Sequence, residues 1–230
     1  MLGIIFTGGE GPPPEVVRRL VDEGAKGALV VAADSGLMAV ERAGVKADLI
    51  VGDMDSLDDQ GRLASYPPEC VMRHGKDKDY TDTELAFSLA VEKKCDTVWI
   101  IGGGGGRIDH LFAIRSLFER EIFPNRWITE TADIRCVNAG GAENTPSTGC
   151  DTLRVCLEKG TQVSVFPLGG GPWEAKSGGL KWPLAGLRWD RGFFGLSNVA
   201  VDGEFSISAQ EGRFMVILPL IKNKELQCLR

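Results

Sequence analysis

Asp48-Leu-Ile-Val-Gly-Asp-Met-Asp-Ser56 is the stretch that decides how this chain folds. Leu49-Ile-Val51 is a continuous β-rich apolar run, the pattern of a strand covered on both faces in a parallel sheet. The run stops at Gly52, and Asp53 and Asp55 follow with one residue between them. Open α/β sheets bind their ligands just past the carboxyl ends of strands. Folding gains nothing from crowding two like charges there unless a cation or a donor array neutralises them. Asp53 and Asp55 therefore read as metal ligands, and Ser56 as the cap of the element that follows. Asp and Ser also suit an ordinary polar turn, so the neighbouring sequence has to decide.

Outward from this stretch, strands and helices alternate. Gly3–Phe6 reads as a first strand, and Pro14 opens a helix with Val16, Val17, Leu20 and Val21 at helical spacing. Leu29–Ala33 is a second strand, and Leu37–Ala43 is a short helix closed by Gly44. A polar helix is expected over roughly 58–65, then a weak strand at Cys70–Met72. The helix after Thr81 carries Leu85, Ala86, Leu89 and Ala90 on its apolar stripe. Thr97–Ile101 is a fifth strand, and Ile108–Glu121 a helix that turns Leu111, Phe112, Ile114, Leu117 and Phe118 to a core. This order predicts a mostly parallel, Rossmann-like sheet with helices on both faces.

Past about residue 125 the periodicity changes to short β runs at 134–137, 153–157, 162–166, 199–201, 205–208 and 214–220, punctuated by Gly and Pro. The expected architecture is an α/β domain over 1–128 followed by an all-β antiparallel sandwich over 129–230. Residues 139–152 read as an exposed loop.

The net charge of -6 argues against a nucleic-acid backbone as the main partner. An acidic site holding a divalent cation still accepts a phosphorylated ligand, because the ion reverses the local field. The six cysteines show no C-x-x-C pair and the histidines number two, which disfavours zinc. Free thiols suit a reducing cytoplasm. No apolar run approaches membrane-spanning length, and the amino terminus lacks the basic start of a signal peptide.

Every strand end in the first half is followed by a chemically pointed loop: Asp34; Asp53 with Asp55; Asp79, Asp82 and Glu84; Arg107 with Asp109. In a parallel sheet these loops leave from one edge. Carboxylates without His or Cys companions select Mg²⁺ or Mn²⁺. Such an ion takes only a few protein carboxylates, so some of these acids serve other roles. Gly102–Gly106 ahead of a helix exposes N–H groups to phosphates, with Arg107, Lys76 and Lys78 as cationic contacts. That run is neither a Walker A motif nor a G-x-G-x-x-G fingerprint. Thr81 is equally an N-cap, and His110 a capping or packing residue.

Ala33-Asp-Ser-Gly36, Asp48–Ser56, Lys78-Asp-Tyr-Thr-Asp-Thr-Glu-Leu-Ala86 and Gly105-Gly-Arg-Ile-Asp-His110 together resemble the thiamine pyrophosphokinases. The likeness continues in Val163-Ser-Val-Phe-Pro-Leu168, Gly179-Leu-Lys-Trp-Pro-Leu184 and Ser197-Asn198. Ser35 departs from it, standing where a second glycine is common. The resemblance implies a homodimer that transfers the pyrophosphoryl group of ATP to the hydroxyl of thiamine, giving thiamine diphosphate and AMP. It implies Mg²⁺ near Asp53, Asp55 and Asp79, with Asp34, Asp82 and Asp109 in the same cleft. Asp53, Asp55, Asp79, Asp82 and Asp109 are then the catalytic set, with the proton acceptor open between Asp109 and Asp82. ATP and its phosphates fall to Asp34, Ser56, Lys78, Thr81, Gly105, Gly106 and Arg107. Thiamine falls to Trp182, Ser197 and Asn198, supplied by the β domain of the partner subunit. Rival expectations keep the fold but change the acceptor to another alcohol such as a hydroxymethylpterin, or make the chain a nucleotide sensor without turnover.

Overall fold

The computed structural model describes residues 1–24, 26–54, 60–75, 79–140, 150–190 and 192–220, and the chain forms two units. The first comprises Met1–Leu117 and Trp127–Glu130. Its strands β1 (Leu2–Phe6), β2 (Leu29–Ala33), β3 (Leu49–Gly52), β4 (Val71–Arg73) and β5 (Thr97–Ile101) are parallel to their neighbours. β6 (Arg126–Ile128) stands beside β5, and the order through these strands is β6-β5-β1-β2-β3-β4. β1 lies inside, Ile4 facing Val30 on one side and Trp99 on the other. Ile4, Ile5 and Phe6 are fully buried, each contributing roughly 1.5–3 kcal/mol by leaving water. That is why this strand reads as an unbroken apolar run rather than as an alternation.

The helices are α1 (Pro14–Gly24), α2 (Gly36–Arg42), α3 (Asp82–Glu92) and α4 (Ile108–Leu117). Pro14 occupies the first turn of α1, where its missing N–H costs nothing, and Val16, Val17 and Leu20 face inward. Three expectations are corrected. The stretch expected as a polar helix is a 3₁₀ helix over Gln60–Ser65, with residues 58 and 59 outside the described part. The helix expected to run to Glu121 stops at Leu117, because the Arg213 Nη1 takes the carbonyls of Phe118 and Arg120 at 2.7 and 2.8 Å. Phe112, expected in the core, is 60% exposed.

The second unit comprises Phe118–Arg126 and the chain from Thr131 onward. Its strands are β7 (Ala132–Asn138), β8 (Thr152–Cys156), β9 (Gln162–Leu168), β10 (Glu174–Gly178), β11 (Gly195–Val199), β12 (Glu204–Glu211) and β13 (Arg213–Pro219). They pair antiparallel as β11-β9-β13-β7 and as β10-β12-β8. Alternate residues of both sheets, among them Val163, Val165, Phe214, Leu153, Phe205 and Ile207, fill one shared core. Residues 141–149 of the expected loop lie outside the described part.

Asp133 in this unit is nearly buried. Burial alone would raise its carboxyl, but the guanidiniums of Arg135 and Arg126 overcome that and hold it at about 2. Both arginines bond it through two nitrogens, at 2.7–2.8 Å. Among the described residues no helix is long and apolar enough to cross a membrane, and Cys70, Cys95, Cys136, Cys150 and Cys156 are free thiols.

Candidate active site

The loops that leave the carboxyl ends of the parallel strands line a cleft of about 360 Å³ in the first unit. The loops after β1, β2 and β5 contribute, together with the first turn of α3. Asp34 and Asp82 line this cleft, and the carboxylates of Asp34, Asp53 and Asp82 each offer an oxygen within 4.8 Å of the others.

Local geometry forces that meeting. Asp34 follows β2 in the left-handed region (φ 46°), its N–H donating to the Val51 carbonyl at 2.9 Å. Gly52 (φ 149°) lies between the acids: a Cβ there would stand 2.9 Å from Asp82 Oδ1 and 3.1 Å from Asp34 Cβ. Met54 after Asp53 is also left-handed (φ 61°) and fully buried, so backbone strain accumulates around the acids. Asp82 is set by the start of α3, which a capping box fixes. Thr81 Oγ1 accepts from the Glu84 N–H at 3.2 Å, and Glu84 Oε2 accepts from the Thr81 N–H at 2.9 Å.

Like charges this close repel by roughly 1 kcal/mol per pair in water and about 3.5 kcal/mol at an effective dielectric near 20. Asp34, only 9% exposed, also has an Oδ1 that is buried without a hydrogen-bond partner among the described residues. An oxygen-only donor set with an orphaned carboxylate oxygen fits a hard divalent cation.

Opposite the acids runs the glycine loop. Gly102, Gly103 and Gly104 spend their N–H groups on the carbonyls of Ile128, Gly8 and Glu10. Gly105 and Gly106, at φ 60° and 59°, are consecutive left-handed residues whose N–H groups have no backbone acceptor among the described residues. Such an array is a phosphate-binding concavity. A Cβ on Gly105 would meet the Glu10 carboxylate at 2.3–2.7 Å, and that exposed side chain would have to swing aside.

The expected site residues therefore separate. Asp34, Thr81, Asp82, Gly105, Gly106 and Arg107 line the cleft, and Asp53 joins Asp34 and Asp82. Asp79 is exposed and stands outside the carboxylate trio. Asp109 is exposed and paired with Arg107, whose Nε donates to it at 3.2 Å. Hydrogen bonding to that guanidinium holds the Asp109 carboxyl below the usual carboxylate range. Asp55, Ser56 and Lys78 lie outside the described residues.

Residues 22–126 match the family model described as thiamin pyrophosphokinase, catalytic domain. The thiamine pyrophosphokinase of Bacillus subtilis (strain 168) is 28% identical over 116 residues, 50% of this chain and 54% of that protein. The crystal structure of the thiamin pyrophosphokinase of Geobacillus thermodenitrificans superposes with a TM-score of 0.70 at 26% identity, covering 97% of this chain and 99% of that one. The chain is thus similar to the thiamin pyrophosphokinases, in sequence over residues 22–126 and in fold along nearly its whole length. The Candida albicans thiamin pyrophosphokinase, 13% identical, shares the fold at a TM-score of 0.70 over 96% of this chain and 90% of its own.

The second unit holds the positions that the family resemblance gave to thiamine. Trp182 is 53% exposed, with the Lys181 ammonium 4.6 Å from its ring centroid. Asn198 is buried and clamps the Trp182 backbone: its Oδ1 accepts from the Trp182 N–H at 3.1 Å and its Nδ2 donates to the Trp182 carbonyl at 2.6 Å. Ser197 is left-handed (φ 56°), its N–H donating to Ser164 Oγ at 3.1 Å.

Sequence reasoning overlooked Thr7 and Thr83, buried residues that line the cleft. Thr7 directly follows β1, so the strand-end rule that selected Asp34 and Asp53 would have selected it too. Uncharged, it carried no signal of its own.

Proposed function

We propose that this chain is an ATP-dependent thiamine diphosphokinase that moves the β,γ-pyrophosphoryl group of ATP to the thiamine hydroxyl, releasing AMP. The observation that carries the reading is the convergence of Asp34, Asp53 and Asp82 in a cleft whose other wall is a glycine loop. Asp34, Asp53 and Asp82 would hold Mg²⁺, with Mn²⁺ as a substitute; the orphaned Asp34 oxygen and the all-carboxylate donor set fit such an ion. When bound, the ion neutralises negative charge on the phosphate oxygens.

The chain's own residues do the rest. Gly105 and Gly106 present N–H groups to the phosphates, and Arg107 adds a guanidinium at the cleft lip. Fixed donors aimed at phosphate oxygens, rather than covalent chemistry, are what pyrophosphoryl transfer needs. Residues 1–128 take the nucleotide and metal; residues 129–230 take thiamine and the dimer contact. The exposed indole of Trp182 offers thiamine a stacking surface, positioned by Asn198 and flanked by Ser197. Leu187, Phe193, Phe194 and Leu196 are exposed close by in sequence, an apolar set that suits a homodimer contact. The free thiols suit a cytoplasmic enzyme.

The test is incubation with ATP, Mg²⁺ and thiamine. AMP and thiamine diphosphate in equal amounts are expected. ADP as the nucleotide product, or transfer only to a hydroxymethylpterin, would overturn the reading. So would tight ATP binding without any product.

A further inference from the structure

Thr7 and Thr83 sit back to back in the cleft wall, 76 residues apart in sequence, their Oγ1 atoms 2.6 Å from each other. Both are more than nine-tenths buried, at 8% and 7% exposure. Thr7 is held tightly: a Cβ on Gly102 would lie 2.4 Å from its carbonyl oxygen, and one on Gly36 would lie 2.9 Å from its nitrogen. Thr83 follows Asp82 in the first turn of α3. The pair thus ties the end of the central strand to the helix that carries an acid of the trio.

Two hydroxyls carry two protons, and a bond between them consumes one. Whichever threonine donates, the other keeps a proton. Among the described residues neither side chain has a second hydrogen-bond partner. The Asp34 Oδ1 does not take that proton, since among the described residues it has no hydrogen-bond partner. A buried donor left unmatched is costly, and it becomes favourable only when an acceptor arrives.

We infer that the Thr7–Thr83 pair is a phosphate-oxygen donor site: its remaining proton is given to the triphosphate of the nucleotide, and its mutual bond holds Asp82 in register. Resting on the ATP reading above for the identity of the anion, the inference adds two residues to the nucleotide site. Phosphate oxygens are acceptors without protons of their own at neutral pH, so the spare donor and this ligand class complement one another. The same bond makes both threonines positioning residues for the carboxylate trio.

The doubly substituted Thr7→Val, Thr83→Val protein separates binding from architecture. Replacing both partners of a buried hydrogen bond by apolar groups of the same shape is nearly neutral for folding. Its melting temperature should therefore match that of the unsubstituted protein. Its dissociation constant for Mg²⁺–ATP, measured calorimetrically without thiamine, should rise roughly tenfold or more, as loss of a hydrogen bond to a charged group requires. Affinity for adenosine should not change. Thr7→Ser with Thr83→Ser keeps both hydroxyls and should keep ATP affinity. Unaltered ATP affinity in the double valine protein would overturn the inference. Should that protein fail to fold, Thr7→Val and Thr83→Val are measured singly, and unchanged ATP affinity in both overturns it equally. Failure of the unsubstituted protein to transfer pyrophosphate to thiamine counts against the proposed activity instead, because the binding measurement needs no acceptor.

Discussion

Replacing Asp34 with Asn removes one charge from a group of carboxylates whose ligand oxygens lie within 4.8 Å of one another. Each pair repels by about 1 kcal/mol at the dielectric of water and about 3.5 kcal/mol at an effective value near 20. Asp53 and Asp82 are only half-buried and Asp82 lines the cleft, so the lower figure governs. Two pairs involve Asp34, and the substitution relieves about 2 kcal/mol in metal-free protein. For a chain of this length that is a rise in Tm of about 4–8 °C in the presence of a chelator. Mg²⁺ binding to the folded state reverses the ranking: it should stabilise the unsubstituted protein and leave Asp34→Asn almost unmoved. Turnover should fall at least about 10²-fold. Differential scanning fluorimetry with chelator and with saturating Mg²⁺ reads both arms. A variant that melts lower than the parent in chelator, and is still stabilised by Mg²⁺ as much as the parent, would refute the reasoning.

Asp53→Asn should cut kcat by several orders of magnitude with the fold intact by circular dichroism, and near-normal rates at saturating Mg²⁺ would contradict the ligand assignment. Gly105→Ala puts a side chain on a left-handed backbone (φ 60°), so the KM for ATP should rise by at least about tenfold in steady-state kinetics; an unchanged KM would remove the glycine loop from the phosphate site. Asn198→Ala frees the Trp182 backbone, and the KM for thiamine should rise while that for ATP stays constant. Asp133 has a folded pKa near 2 against roughly 3.9 unfolded, so it contributes roughly 2–3 kcal/mol that is fully present above pH ~4 and lost as the pH falls toward 2. Acid titration of stability should show this loss; Asp133→Asn should flatten that limb and lower stability at neutral pH by about 3–5 kcal/mol by stranding Arg126.

Chemistry-bearing strand ends were legible because charge and hydrophobic period change together there. Leu49–Gly52 is bounded by aspartates, and Leu29–Ala33 ends at one, so both strands and their loops stood out. Glu174–Gly178 was invisible as a strand: it is an edge partner of β12 with Ala175 its one fully buried side chain, and no alternation marks it. Arg126-Trp-Ile128 was missed because its first residue is an arginine, and no periodicity shows that Asp133 will meet it as a buried ion-pair partner. Phe112 was misassigned since a helical stripe says which residues align, not which flank meets the sheet. At the site, sequence found the acids but not their grouping. Asp79 is two residues from the capping box that places Asp82, yet it projects to solvent. Asp34 reaches the trio only because Gly52 leaves room.

Crystals grown with Mn²⁺ and a non-hydrolysable ATP analogue test the central claim most directly. The account predicts an anomalous peak about 2.2 Å from oxygens of Asp34, Asp53 and Asp82, with triphosphate oxygens completing the shell. A peak bound elsewhere, or those carboxylates turned apart around an empty centre, would contradict it.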